Sequence, residues 1–287
     1  MLLENSKTIS GYKLSMLTME MKDVPSLHEL SICVNWPHRA QDWRFLQGLG
    51  EGLVLKGPIE QTFGSAMWFP ISEKLTCIGM LITSPRLQHN GAGMWLMQEV
   101  LRQTSDSGII LNATKEAYPL YLSLGFQSTK RVYQHNGVVR TLPDGPDLAR
   151  NYHSDDFDKI VELDRIAYGE NRKQIFEKLL KVSEITILER GSSLVGFAMS
   201  RKFGKGHVIG PVVAENEEDV LSLIRPLVGT LQGEFVRMDT RADEGPLRNF
   251  LGEAGIILYD QMTTMTHGDV PQNGLLTTYG LVNQAFG

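Results

Sequence analysis

Cysteine is scarce in this sequence, with Cys33 and Cys77 the only two. Two isolated thiols make neither a disulfide framework nor a metal-ligand spacing, which excludes a stapled secreted scaffold and makes a reducing, cytoplasmic setting the expectation. Positive charge is also in deficit: Lys plus Arg is 28 against 33 for Asp plus Glu, a net charge of -5. Nucleic acids and anionic membranes need clustered cations, so neither is expected as the main partner. No apolar run reaches the roughly 18 residues of a membrane span. The amino-terminal residues, with Glu4 and Lys7 among small polar neighbours, lack a signal-peptide core. What is present, 42% hydrophobic and 21% charged residues over 287 positions, fits a soluble globular chain long enough for two domains.

The most informative stretch runs from Ile78 to Phe126. An apolar strand (Met80, Leu81, Ile82) leads through Gln88-His89-Asn90-Gly91-Ala92-Gly93 into a run where Met94, Met97 and Leu101 recur at helical spacing, widened by Leu96 and Val100. The first amides of such a helix have no partner inside it, and its dipole favours an anion. Gly91 and Gly93 carry no side chain to hold a diphosphate away from those amides. A lone G-x-G turn is weak evidence, because many such turns are only tight turns.

Here the turn has company. The spacing Gln-x-x-Gly-x-Gly after a strand and Pro85 resembles the acetyl-CoA pyrophosphate loop of the GNAT superfamily, whose pattern is Arg/Gln-x-x-Gly-x-Gly/Ala. Leu111-Asn112-Ala113-Thr114, then Leu120-Tyr121-x-x-Leu124-Gly125-Phe126, is similar to that superfamily's next strand and its "LY-x-x-LGF" helix. The resemblance covers about residues 12–135. It implies acetyl-CoA as co-substrate, with contacts from Leu81, Ile82 and Thr83, from Gln88, His89, Asn90, Gly91, Ala92, Gly93 and Met94, and from Asn112 and Tyr121. It also implies that the strands around 76–83 and 109–113 splay and take the pantetheine arm between them, and that Tyr121 protonates the departing thiolate. A phenol of pKa about 10 suits a thiolate of similar basicity.

Upstream, Tyr12 to Met19 reads as a first strand behind a loose lead-in, residues 1–11. Pro25 opens a helix through Leu27, Leu30 and Ile32, and a second helix runs near Trp43 to Leu49. The loop between them, Asn35 to Trp43, overhangs the acceptor site in the family. Asp42 beside Trp36 and Trp43 suits an ammonium group, although tryptophans usually pack and an Asp there can simply cap a helix. Glu73, Asp42 and His38 lie where a general base is wanted; Asp42 is the candidate, with a water relay the alternative.

Leu142-Pro143-Asp144-Gly145-Pro146 reads as a linker. Beyond it the order of elements repeats the first half coarsely, so the fold class is α/β: two tandem GNAT-like domains, 1–140 and 141–287, each a mixed, mainly antiparallel sheet flanked by helices. The pyrophosphate pattern is gone from the repeat. Glu215, Glu217, Glu218 and Asp219 stand in its place and would repel a diphosphate. Asp164, Tyr168, Gly169, Arg172, Arg201, Gly210-Pro211 and Asp239 resemble the degenerate second domain of bacterial two-domain GNAT proteins. Arg172 and Arg201 are therefore candidates for acceptor contact, or members, with Asp239, of a structural ion-pair network. Residues 270–287 read as a tail that packs through Leu275, Tyr279, Leu281, Val282 and Phe286, or frays.

The expected activity is N-acetyl transfer from acetyl-CoA to a primary amine of a small or medium acceptor by direct attack, since no nucleophile is paired with a base. The alternative is a non-catalytic acyl-CoA-binding or sensing module. Monomer and homodimer stay open.

Overall fold

The computed structural model describes residues 6–270 and 276–287. The first half contains β1 (Ser6–Ile9), β2 (Tyr12–Thr18), α1 (Val24–Cys33), α2 (Ala40–Gln47), β3 (Glu51–Lys56), β4 (Thr62–Pro70), β5 (Leu75–Thr83), α3 (Ala92–Gln103), β6 (Gly108–Ala113), α4 (Tyr118–Ser123) and β7 (Gln127–Val138). After a stretch without regular structure come β8 (Arg150–Asn151), α5 (Phe157–Tyr168), α6 (Lys173–Leu179), β9 (Ser183–Arg190), β10 (Ser193–Phe203) and β11 (Gly206–Ala214). The chain continues through α7 (Glu217–Thr230), β12 (Phe235–Thr240), α8 (Pro246–Ala254), β13 (Ile257–His267) and β14 (Thr277–Gly280).

All of these strands join one sheet, in the order β1-β2-β3-β4-β5-β6-β13-β7-β12-β14-β11-β10-β9-β8. Neighbours are antiparallel except β5 with β6 and β11 with β12, the same step in each half. The halves trade strands. β13, from the second half, inserts between β6 and β7, and β7, from the first, pairs with β12.

Three large apolar clusters and a small one, Val132, Met262 and Leu281, follow from this arrangement. α3 buries Leu96, Met97 and Val100 against the first half's strands, and α7 and α8 bury Leu223, Ile224 and Phe250 against the second's. The third cluster is shared, joining Leu27, Trp43 and Phe69 to Phe176, Phe197, Val282 and Phe286. Phe69 and Phe286 meet with ring centroids 5.1 Å apart. Each fully buried side chain of this size contributes roughly 1.5–3 kcal/mol, so the shared cluster is a substantial part of what holds the halves together.

Two segments differ from the sequence reading. Ser6–Ile9, expected to be loose, pairs with β2, and only Ile9 is buried, which explains the weak signal. The tail neither frays nor merely lies across a domain: Thr277–Gly280 enters the sheet, and Leu281, Val282 and Phe286 are buried. Residues 1–5 and 271–275, including the predicted contact Leu275, lie outside the described residues. Among the described residues no helix is long and apolar enough to cross a membrane.

Candidate active site

The site begins where two parallel strands stop pairing. β5 and β6 are in register from Leu75 opposite Gly108 to Ile78 opposite Leu111, and no further. A bulge lies just beyond. The β4–β5 register shifts between Ser65 and Met67, Met80 takes φ 53°, and the Ser65 hydroxyl donates to the Met80 carbonyl at 2.9 Å. A bulge bends and twists its strand. The result is a parting in which the β6-facing backbone of Gly79–Thr83 has no strand partner among the described residues, the splay that the resemblance implies.

The loop after β5 delivers a helix end to this parting. α3 starts at Ala92 with Gly91 as its N-cap at φ 86°, a left-handed conformation that disfavours any residue with a Cβ. No side chain caps this end and no acid occupies its first turn. Its first internal bond is Trp95 N–H to Gly91 carbonyl at 3.0 Å, so the amides of Ala92, Gly93 and Met94 have no acceptor within the helix. Gln88, His89 and Asn90 are exposed on the turn. A Cβ at Gly93 would sit 3.4 Å from Leu120 and 3.9 Å from Thr83, which places that glycine between β5's end and α4.

A cavity of about 280 Å³ opens at the parting, lined on the first-half side by Gly79, Met80, Leu81, Asn112 and Tyr121. Tyr121 is 5% exposed, edge-on to Phe126, and its hydroxyl has no hydrogen-bond partner among the described residues. Burial pushes its phenol above the ordinary tyrosine range, so it stands protonated at neutral pH. Trp36 and His38, from the loop between α1 and α2, form another wall. His38 is half-buried and lines the cavity; burial, with Arg237 near, lowers its imidazole pKa to about 4.

The second half completes the cavity with Arg201 on β10, Arg237 and Asp239 on β12, and Gln284 and Ala285 of the tail. Arg237 and Asp239 are two apart on one face of β12, and Arg237 grips the carboxylate through Nε at 3.1 Å and Nη2 at 2.8 Å. Gln284 donates to Asp239 at 3.1 Å. The tail lies so close to β5 that a Cβ on Gly79 would stand 2.5 Å from the Ala285 Cβ. Arg237, Gln134 and Gln284 were not anticipated; the one available signal was two opposite charges at alternate positions of an otherwise apolar strand.

Several expected contacts fall elsewhere. Asp42 does not line the Tyr121 cavity. It occupies the third position of α2, and its carboxylate accepts four hydrogen bonds, from Arg39 N–H (2.7 Å), Arg39 Nε (3.1 Å), Arg39 Nη2 (2.9 Å) and Gly204 N–H (3.1 Å). A carboxylate so engaged is a poor base, and it borders a separate cavity of about 800 Å³. Arg172 is likewise a structural group: it holds Asp164 at 2.9 and 2.6 Å, stacks 3.7 Å from the Tyr168 ring centroid, and donates to the carbonyls of Phe286 and Gly287. The Asn112 side chain reaches the cavity, but it already donates to the Gln284 carbonyl at 2.8 Å and accepts from Thr264 at 2.7 Å. Ile82 points into the core, leaving only its backbone to a ligand. Cys77 is buried against the Tyr168 hydroxyl at 3.2 Å, and burial raises its thiol pKa to about 11, which removes it as a nucleophile.

A parted parallel strand pair, a bare helix end beside it and a buried phenol in the cavity between them define an acyltransferase that uses an acyl-CoA. Residues 60–141 and residues 160–280 each match the acetyltransferase (GNAT) domain family, so that both halves are covered, and the chain belongs to the GNAT acetyltransferases as a two-domain member. It is 28% identical over 222 residues to the uncharacterized N-acetyltransferase YitH of Bacillus subtilis, covering 75% of this chain and 77% of that protein. A Pyrococcus horikoshii protein assigned as an acetyltransferase superposes with a TM-score of 0.80 at 15% identity, over 100% of this chain and 98% of that one. A tandem GNAT protein from the clavulanic acid biosynthesis pathway gives 0.65 at 12% identity, over 91% and 100%.

Proposed function

We propose that this protein is an N-acetyltransferase that moves the acetyl group of acetyl-CoA to a primary amine of a small acceptor by direct attack. The observation that carries the reading is that Tyr121 and the unpaired stretch of β5 line one cavity. The pyrophosphate would lie on the amides of Ala92, Gly93 and Met94, and the pantetheine arm would bond to the open edge of β5 as an added strand does.

The amine nitrogen attacks the thioester carbonyl, a backbone N–H of Gly79–Leu81 meets the developing oxyanion, the C–S bond breaks as Tyr121 donates its proton to the CoA sulfur, and the proton released by the acylated nitrogen passes to solvent, from which Tyr121 is reprotonated. An alkylammonium near pKa 10.4 must first lose a proton. Asp42 is spent on Arg39, and His38, at about 4, is too weak a base. The proton can leave to water at the cavity mouth or to the exposed carboxylates that border it, Glu116 and Asp260.

The test is CoA release from acetyl-CoA over a panel of amino acids, other amine carboxylates, polyamines and aminoglycosides. Saturable, amine-dependent release is expected. Binding of acetyl-CoA without release to any amine would point instead to a sensing module.

A further inference from the structure

Resting on the acyl-transfer reading, we infer that the acceptor carries a carboxylate as well as its amine, and that Arg201 receives that carboxylate. Three arginines are buried in or near the shared core: Arg172, Arg201 and Arg237 are 2%, 6% and 8% exposed. Arg172 holds Asp164 and Arg237 holds Asp239, each through two guanidinium nitrogens. Arg201 holds no carboxylate among the described residues. Its only hydrogen-bond partners there are the carbonyls of Gly210 at 3.1 Å and Val282 at 2.8 Å, with the Phe45 ring centroid 5.7 Å away. A guanidinium has five N–H donors, so three of those on Arg201 are unspent, in a side chain that lines the Tyr121 cavity.

Among the described residues no carboxylate is hydrogen-bonded to that charge; Asp42 and Asp239 favour it only through space. The nearest carboxylates are already taken, Asp42 by Arg39 and the Gly204 amide, Asp239 by Arg237 and Gln284. Leaving a buried charge unpaired is costly, and burial lowers the Arg201 pKa to about 10, which still leaves it cationic at neutral pH. Arg201 and Arg237 against Asp239 leave this wall with one net positive charge. That matches a monoanion at this wall, and the planar donor fork suits a carboxylate. Glu116 and Asp260, both exposed, border the same cavity and suit the ammonium end of such an acceptor. Arg201 also borders the neighbouring cavity of about 800 Å³, but an anion held there alone would leave the reactivity of an amine in the Tyr121 cavity unchanged.

The experiment compares matched pairs that differ only in the carboxylate: β-alanine with its amide, 4-aminobutyrate with butylamine, and anthranilate with aniline. With the unmodified protein and acetyl-CoA, kcat/KM for the acid should exceed that of its partner by about tenfold or more in at least one pair. Arg201→Gln should bring that ratio close to one. Because both members are measured on the same preparation, any misfolded fraction cancels from the ratio. Equal turnover within all pairs by the unmodified protein, or a ratio that survives Arg201→Gln, would overturn the inference. If acetyl-CoA binds but no amine is acetylated, calorimetry of the same pairs in the presence of CoA separates the two claims. Acid-selective binding that Arg201→Gln removes would uphold the carboxylate site while the transfer reading fell, and absence of such binding would overturn both.

Discussion

The two halves of this chain face the same geometry and treat it in opposite ways. In each, two parallel strands pair briefly and then part: β5 and β6 after Ile78 and Leu111, β11 and β12 after Ile209 and Met238. The first parting is left open. The second is filled by the chain itself, because β14 enters it and pairs with β11 at Val212–Ala214 and with β12 at Thr240. The helices that follow differ in the same sense. α3 begins uncapped and without acids, whereas α7 begins with the Asn216 side chain accepting the Asp219 amide at 3.0 Å and carries Glu217, Glu218 and Asp219 in its first turn. An acyl-CoA site of this kind needs both an unpaired strand edge and bare helix amides. The second half has closed both, and it gives the first a wall of Arg201, Arg237 and Asp239 instead.

The contrast predicts where substitutions will act. The largest effect is expected from Gly91→Val, which forces a β-branched residue to φ 86° at the open helix end. Acetyl-CoA affinity should fall by more than about a hundredfold, since the amides proposed to meet the diphosphate would be displaced. Unchanged affinity in equilibrium binding would remove the loop from the site. Tyr121→Phe comes next: kcat should drop about a hundredfold, the lower end for a general acid, with little change in acetyl-CoA binding. A drop in affinity with kcat preserved would make Tyr121 a packing residue only.

The enclosed imidazole of the open half should also make the fold acid-sensitive. His38 has its folded-state pKa lowered from 6.5 to about 4, so the unfolded chain takes up its proton first as pH falls. Stability from this residue is complete above about pH 6.5 and declines through pH 4. Urea midpoints measured from pH 7.5 to 4.5 should fall more steeply in the parent than in His38→Gln, and parallel curves would count against an enclosed neutral imidazole. The smallest effect is expected on the closed side. Asn216→Ala removes the α7 cap and should cost about 1 kcal/mol of stability, with acetyl-CoA affinity unaltered. A weakened affinity would mean that the closed helix end communicates with the open one.

How much of this could be read from the sequence depended on whether the relevant residues lie together in the chain. The loop from Gln88 to Gly93 and the helix carrying Tyr121 are contiguous, and their spacing led to the family and to the open site. The exchange of β7 and β13 was not legible, because periodicity shows that a stretch is a strand and not which strand it bonds to. β14 was hidden for a related reason: a four-residue strand pattern in a Gly-bearing tail carries little signal until the parting it fills is known. Asp42 misled because an acid beside aromatics fits an ammonium site and the third position of a helix equally well. Arg201 was found by resemblance, but its significance lies in the carboxylate it lacks, and only the packed structure shows that Asp42 and Asp239 are both engaged elsewhere.

The most direct test of the contrast is a calorimetric titration of the unmodified protein with acetyl-CoA, read for stoichiometry. One open parting and one filled by β14 predict a single site per chain. Two sites per chain would mean that β14 gives way and the second half still binds the cofactor, and no site would contradict the assignment of the open parting between β5 and β6.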